Sequence, residues 1–226
     1  MASREPFTYK ATGRPRVAVL ISGEGTNLQA LIDAVAARRI AGEIAVVVSN
    51  RAAARGLERA RAAGIPAECV PARRGIERAA YDRALAEVLH RYAPDLVVLA
   101  GFMRILTGEL VTRFAGRMLN LHPSLLPKYP GLDTHRLVLE NRDRVHGATV
   151  HFVTGELDAG PRVIQYRIAV RQGETIDSLV ARVHAGEYVI LPRAVDWFVT
   201  GRLRLDGEAV MLDGARLSEP VIVEGE

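Results

Sequence analysis

Short, almost wholly apolar runs alternate with amphipathic segments of helical period in the first half of this chain, and that alternation leaves few folds open. The apolar runs cover 16–21, 44–49, 68–70 and 96–99; most are β-branched or leucine, and turn residues bound each one. Helical patterns fill the gaps at 27–39, 54–63 and 76–92. In the last of these, Tyr81, Leu85, Val88, Leu89 and Tyr92 recur at i, i+4, i+7, i+8 and i+11 and share one face. Gly64-Ile65-Pro66 stops the second helix, and Pro94 follows the third. Strands separated by helices require crossover connections, so a parallel sheet is expected.

The second half is more mixed. A fifth strand is expected at 118–121, followed by a loop from Pro123 to Gly131 and a helix around 135–140. Later strands are expected at 147–153 and 163–169, joined by the turn-rich segment 154–161. A long helix follows at 175–198, then a hairpin of 202–205 and 209–212 around Asp206-Gly207. The expected fold class is α/β: a single doubly wound, mostly parallel sheet with helices on both faces and a mixed C-terminal part. The domain should span 16–217, between a flexible N-terminal tail (1–15) and a C-terminal tail (218–226). At 226 residues the chain can bury one sizeable core.

Composition narrows the function. No run of eighteen or more apolar residues occurs, so no membrane span is expected, and the first sixteen residues do not read as a secretory signal. The formal charge is only +4, lysine occurs only as Lys10 and Lys128, and 5% of residues are aromatic. Without a basic, aromatic-interleaved block, a nucleic-acid partner is not expected. The single cysteine, Cys69, allows no internal disulfide and fits a reducing cytoplasm. Metal-ligand spacings of the Cys-x-x-Cys or His-Glu-x-x-His kind do not occur, so no metal is expected.

Ser22-Gly23-Glu24-Gly25-Thr26-Asn27 lies between a buried strand and an amphipathic helix. Backbone N–H groups there, with the positive end of the helix, suit an anion such as phosphate. A plain tight turn fits equally well. Leu28 stands where a third dinucleotide-binding glycine would be, and no Gly-Lys-Ser/Thr follows, so neither nucleotide fingerprint applies. The charge of Glu24 would repel an anion, so its side chain is expected to face solvent.

Asn120 and His122 fall two apart on the fifth strand and therefore on one face. They sit at the carboxyl edge, where open α/β sheets bind ligands. An amide and an imidazole there can converge on one carbonyl oxygen, the arrangement that stabilises an oxyanion. A nearby carboxylate would raise the imidazole's pKa. Both Glu156 and Asp158 in the following loop meet that requirement, and a solvent-facing turn carboxylate is the plain alternative.

Four runs in order resemble the glycinamide ribonucleotide (phosphoribosylglycinamide) formyltransferases, folate-dependent enzymes of purine synthesis. They are Ile21-Ser22-Gly23-x-Gly25-x-Asn27-Leu28-Gln29-Ala30, Ala100-Gly101-Phe102-Met103-Arg104-Ile105-Leu106, Asn120-Leu121-His122-Pro123-Ser124-Leu125-Leu126-Pro127-Lys128-Tyr129-Pro130-Gly131, and Gly147-x-Thr149-Val150-His151-Phe152-Val153 with Glu156-Leu157-Asp158. The resemblance covers about 16–217. It implies Asn120, His122 and Asp158 as the catalytic trio, and Gly25, Thr26, Asn27 and Glu187 as the nucleotide site. It implies folate contacts at Arg78, Met103, Arg104, Ile105, Leu106 and Asn120, with Thr154, Gly155, Glu156, Leu157 and Asp158 closing the pocket. The implied co-substrate is 10-formyltetrahydrofolate, the other substrate is the nucleotide, and a monomer or weak homodimer is expected. Ala159, His184 and Tyr188 depart from the family pattern. Methionyl-tRNA formyltransferase shares the Asn-x-His-Pro-Ser core, but is expected to carry a further C-terminal domain. A formyltetrahydrofolate hydrolase is expected to carry an N-terminal one. A non-catalytic folate- or nucleotide-binding protein is the alternative outside enzymes.

Overall fold

A computed structural model describes residues 13–72 and 75–226. The elements in chain order are β1 (Arg16–Ile21), α1 (Thr26–Ala36), β2 (Glu43–Ser49), α2 (Arg55–Ala62), β3 (Ala67–Cys69), α3 (Arg78–Tyr92), β4 (Leu96–Leu99), α4 (Gly108–Arg113) and β5 (Met118–His122). There follow α5 (Thr134–Glu140), β6 (Val145–Phe152), β7 (Arg162–Ala169), α6 (Ile176–Val199), β8 (Leu203–Asp206), β9 (Ala209–Leu212), β10 (Ala215–Arg216) and β11 (Val221–Glu224).

Eight strands form the main sheet in the order β11-β7-β6-β5-β4-β1-β2-β3. From β3 to β5 every pairing is parallel, as the helical crossovers require. β6 then runs antiparallel to both β5 and β7. Strands β8, β9 and β10 form a separate antiparallel sheet.

β1 explains why the N-terminal strands lack polar alternation. Val17, Val19 and Ile21 join the core on one face with Leu28 and Leu31 of α1 and Leu179 and Val183 of α6. Ala18 and Leu20 join the core on the other face with Tyr81, Leu85 and Leu89 of α3. A strand covered on both faces must be apolar at every position. Each fully buried aliphatic side chain contributes roughly 1.5–3 kcal/mol. Among the described residues no helix is long and apolar enough to cross a membrane.

The doubly wound sheet and its mixed C-terminal part match the expectation, with three corrections. First, residues 218–226 are not a loose tail: Val221–Glu224 is β11, paired in parallel with Ile164–Arg167 of β7. Val221 and Val223 pack against the core while Ile222 and Glu224 face out. Second, α4 was not expected, because six residues are too few to show a period; Thr107 caps it by accepting the Leu110 N–H on its hydroxyl at 3.4 Å. Third, β5 runs one residue past the expected bound of 121 and takes in His122, in keeping with the expectation that Asn120 and His122 share one strand face. The expected N-terminal tail lies mainly at 1–12, outside the described residues. Pro15 is already tied down, its carbonyl accepting the Glu43 N–H at 2.7 Å.

α6 lies against β7 at Gly186, where an added Cβ would stand 1.8 Å from the Tyr166 ring. Gly186→Ala gains about 1 kcal/mol of helix propensity. Overpacking costs about 1–3 kcal/mol. We expect the clash to win, with a net loss near 1 kcal/mol in urea unfolding; an unchanged or higher midpoint would contradict this packing.

Candidate active site

Antiparallel pairing of β5 with β6 sets Asn120 opposite His151 and His122 opposite Thr149. Asn120 Nδ2 lies 3.1 Å from His151 Nε2 and 3.3 Å from Asp158 Oδ1. The other His151 nitrogen, Nδ1, lies 2.9 Å from the Phe152 carbonyl. A carbonyl only accepts, so we assign the His151 proton to Nδ1 and leave Nε2 to accept from Asn120. Asp158 reaches the cluster from the loop after β6, at a positive φ of 52°. Its Oδ2 accepts the Gly131 N–H at 2.9 Å and stands 3.4 Å from His122 Nδ1. His122 Nε2 lies 2.8 Å from the Tyr129 carbonyl.

The tertiary structure thus chooses between the two loop carboxylates. Asp158 enters the cluster; Glu156 is exposed at the cavity mouth. His151, which the sequence reading left out of the trio, is a fourth member. The signal for it was its place opposite Asn120, visible only once the strands are paired.

Both ring nitrogens of His122 face acceptors, which favours the imidazolium. Burial opposes the charge and prevails: desolvation drives the His122 pKa below its ordinary value, and the Tyr129 carbonyl and Asp158 recover only part. The expected rise is therefore corrected in sign, although Asp158 acts in the expected direction. Burial would raise Asp158, but the Gly131 N–H and the His122 ring hold the carboxyl below its usual range.

Buried hydrogen bonds hold the turn after β5. Ser124 Oγ donates to the Lys128 carbonyl at 2.6 Å, while Thr149 Oγ1 donates to the Ser124 carbonyl and accepts the Leu126 N–H. Gln165 Nε2 bridges the Leu126 carbonyl and Thr149 Oγ1, both at 2.9 Å. This lattice fixes where the Tyr129 carbonyl meets His122.

The cluster forms one wall of a cavity of about 720 Å³. Met103, Arg104, Ile105 and Leu106 line one side, and the 154–158 segment, Thr154, Gly155, Glu156, Leu157 and Asp158, lines another. Met103, Ile105, Leu132 and Leu157 leave large apolar side chains exposed here. An apolar slot with polar groups at its end suits a flat, partly polar ligand. The Arg104 guanidinium stacks 4.1 Å over the Tyr81 ring. Arg78 is exposed in the first turn of α3 and is not among the residues that line the cavity. His135, Leu132 and Ile176 line the cavity without having been expected.

Gly25, Thr26 and Asn27 form a separate patch. Gly25 has φ 71°, and a Cβ there would meet Gly56 Cα at 2.6 Å, so only glycine fits. Glu24 faces solvent as expected, within 3.5 Å of Arg55. Asn27 Nδ2 donates to Glu187 Oε2 at 2.8 Å, while Asn27 Oδ1 is buried without a partner. Burial pushes Glu187 up despite Asn27 and His184, whose Nε2 lies 3.9 Å away. The His184 and Tyr188 rings stand 6.2 Å apart. Among the described residues no group of three or more His, Cys, Asp or Glu side chains could hold a metal ion.

Residues 15–195 match the formyl transferase family. The chain is 53% identical over 201 residues to the phosphoribosylglycinamide formyltransferase of Escherichia coli (strain K12), covering 89% of this chain and 95% of that one. It is similar to the solved phosphoribosylglycinamide formyltransferase from Coxiella burnetii, at 44% identity and a TM-score of 0.88, covering 93% of this chain and 99% of that one. A formyltetrahydrofolate deformylase from Burkholderia mallei ATCC 23344 is 28% identical with a TM-score of 0.81, covering 88% of this chain and 70% of that one.

Beside the cavity, His146 Nε2 lies 3.0 Å from His135 Nδ1. Burial, and then the neighbouring histidines, push both rings down to about 4 from 6.5. Unfolded histidines bind protons near 6.5, whereas this folded pair does so only near 4. The pair's contribution is therefore complete above 6.5 and is lost as pH falls toward 4. Urea unfolding across that window should show a shallower pH slope in His146→Asn than in the parent chain; equal slopes would contradict the assignment.

Proposed function

The chain belongs to the formyl transferase family, and on that premise we propose that it transfers a formyl group from 10-formyltetrahydrofolate to the amine of glycinamide ribonucleotide, a step of purine synthesis. The observation that carries the reading is the convergence of Asn120, His122, His151 and Asp158 at the wall of an apolar cavity. Both substrates are small molecules. We place the reaction in the cytoplasm, where the lone Cys69 stays reduced, and take the working unit to be a monomer or weak homodimer.

The cavity fits the folate. Met103, Ile105 and Leu157 offer apolar walls for a flat ring system, and the Arg104 and Asn120 side chains supply polar ends. The bound folate supplies an activated formyl group. The nucleotide's phosphate is assigned to Gly25, Thr26 and Asn27 at the start of α1, which has no acidic residue in its first turn. Glu187, held by Asn27, is assigned to the rest of that substrate.

As the amine attacks, negative charge grows on the formyl oxygen. Asn120 keeps one N–H on His151 and turns the other from Asp158 to that oxygen. His122, as the imidazolium, exchanges the Tyr129 carbonyl for the same oxygen. Both donors stand preorganised in a largely buried cluster, where they act more strongly than in water. Asp158 favours the charged imidazole and orients a water that takes the proton lost by the attacking amine and passes it to N10 of the folate as the carbon–N10 bond breaks. Holding the two substrates in line supplies a further share of the rate.

Incubating the protein with formyl donor and nucleotide should give formylated nucleotide. Loss of the formyl group to water at the same rate with or without the amine would favour a hydrolase, and binding without turnover a non-enzyme. His122→Ala should lower kcat by about 10²–10³ with both substrates still binding; near-normal turnover would remove His122 from the chemistry. Activity should fall as pH rises through the His122 pKa, which burial places below 6.5. Asp158→Asn removes a contribution that raises this pKa and should shift the fall to lower pH; an unmoved profile would count against the pairing.

A further inference from the structure

Ser22 is the first residue past β1, the strand between β4 and β2 in the sheet. It is 3% exposed, and its hydroxyl makes two hydrogen bonds. It donates to Asn50 Oδ1 at 2.6 Å and accepts the Met103 N–H at 2.7 Å. Asn50, 6% exposed, is the first residue past β2. Met103 lies in the loop after β4 that walls the cavity. One oxygen therefore ties the carboxyl ends of three adjacent strands. A hydroxyl has one proton to give. Asn50 takes it, and that turns a lone pair toward the Met103 N–H. Immediately after Ser22 the chain enters the glycine loop, so this residue stands between the two substrate regions.

The other ties on the cavity loop come from α3. The Arg104 guanidinium lies on the Tyr81 ring, and the Thr107 N–H donates to Asp82 Oδ2 at 2.5 Å. These hold the loop farther along. Met103, whose side chain is 57% exposed at the cavity wall, is held by Ser22.

We propose that Ser22, oriented by Asn50, is a positioning residue for the formyl donor: it sets the Met103–Leu106 wall. The proposal rests on the formyl-transfer reading above. Removing the hydroxyl leaves the Met103 N–H without its acceptor, and the loop must move to find another.

The test is steady-state kinetics with melting temperatures for Ser22→Ala, Ser22→Thr, Asn50→Leu and the double variant Ser22→Ala/Asn50→Leu. In Ser22→Ala the formyl-donor KM should rise about tenfold. The nucleotide KM and kcat should stay within about twofold, the signature of lost binding to one substrate alone. Asn50→Leu should act in the same direction. The double variant should match Ser22→Ala, because both changes act through one bond. Ser22→Thr keeps the hydroxyl and should restore the donor KM. An unchanged donor KM in Ser22→Ala, equal rises in both KM values, or additive effects in the double variant would each overturn the proposal. If Ser22→Ala does not fold, Ser22→Cys, a weak acceptor of similar size, carries the same readout. If the parent chain transfers no formyl group to the nucleotide, the functional reading fails separately. Fluorescence titration with a folate analogue then decides the positioning role: binding about tenfold weaker in the variant supports it, and equal binding, or none to either chain, overturns it.

Discussion

The pairing of β5 with β6 is the constraint on which the site depends. It is where the sheet changes from parallel to antiparallel. A crossover helix at this point would have carried the chain to the opposite end of the strands. Instead β6 runs back along β5 and places His151 against Asn120 and Thr149 against His122. The loop leaving β6 then needs only a few residues to bring Asp158 over the same edge, and its positive φ turns the carboxylate inward. The contacts of His151 and Asp158 with Asn120 and His122 follow from that reversal.

Burial and pairing oppose each other at this edge, and their balance differs from residue to residue. Asp158 gains enough hydrogen bonds and opposite charge to stay ionised despite desolvation. His122 does not gain enough, so its charged form becomes the less favoured one even with acceptors at both nitrogens. Negative charge growing on the formyl oxygen would favour the charged imidazole again. The same logic leaves His135 and His146 neutral, since desolvation and then neighbouring histidines disfavour the charged form of each.

Much of the architecture was legible because it rests on local signals. The runs that became β1 and β4 were found at their observed bounds, since a strand covered on both faces must be apolar throughout. The long period that became α6 was found for the same kind of reason, despite Pro192 inside it. α4 escaped because six residues are too few to show a helical period, and β11 because it gains its partner only after the chain has returned to β7. Arg78 carried a folate role by resemblance alone, and it stands exposed in the first turn of α3, outside the cavity lining.

The sequence by itself determined the class of fold and two of the site residues. Residue order sets which segments bury both faces, and spacing along a strand puts Asn120 and His122 on one side of it. The tertiary structure decided the rest. It selected Asp158 over Glu156, brought in His151, set the direction of the His122 shift, and joined Ser22, Asn50 and Met103 through one oxygen. These are properties of distance and desolvation between segments far apart in the chain. No local pattern encodes them, because they exist only when the strands have been brought into register.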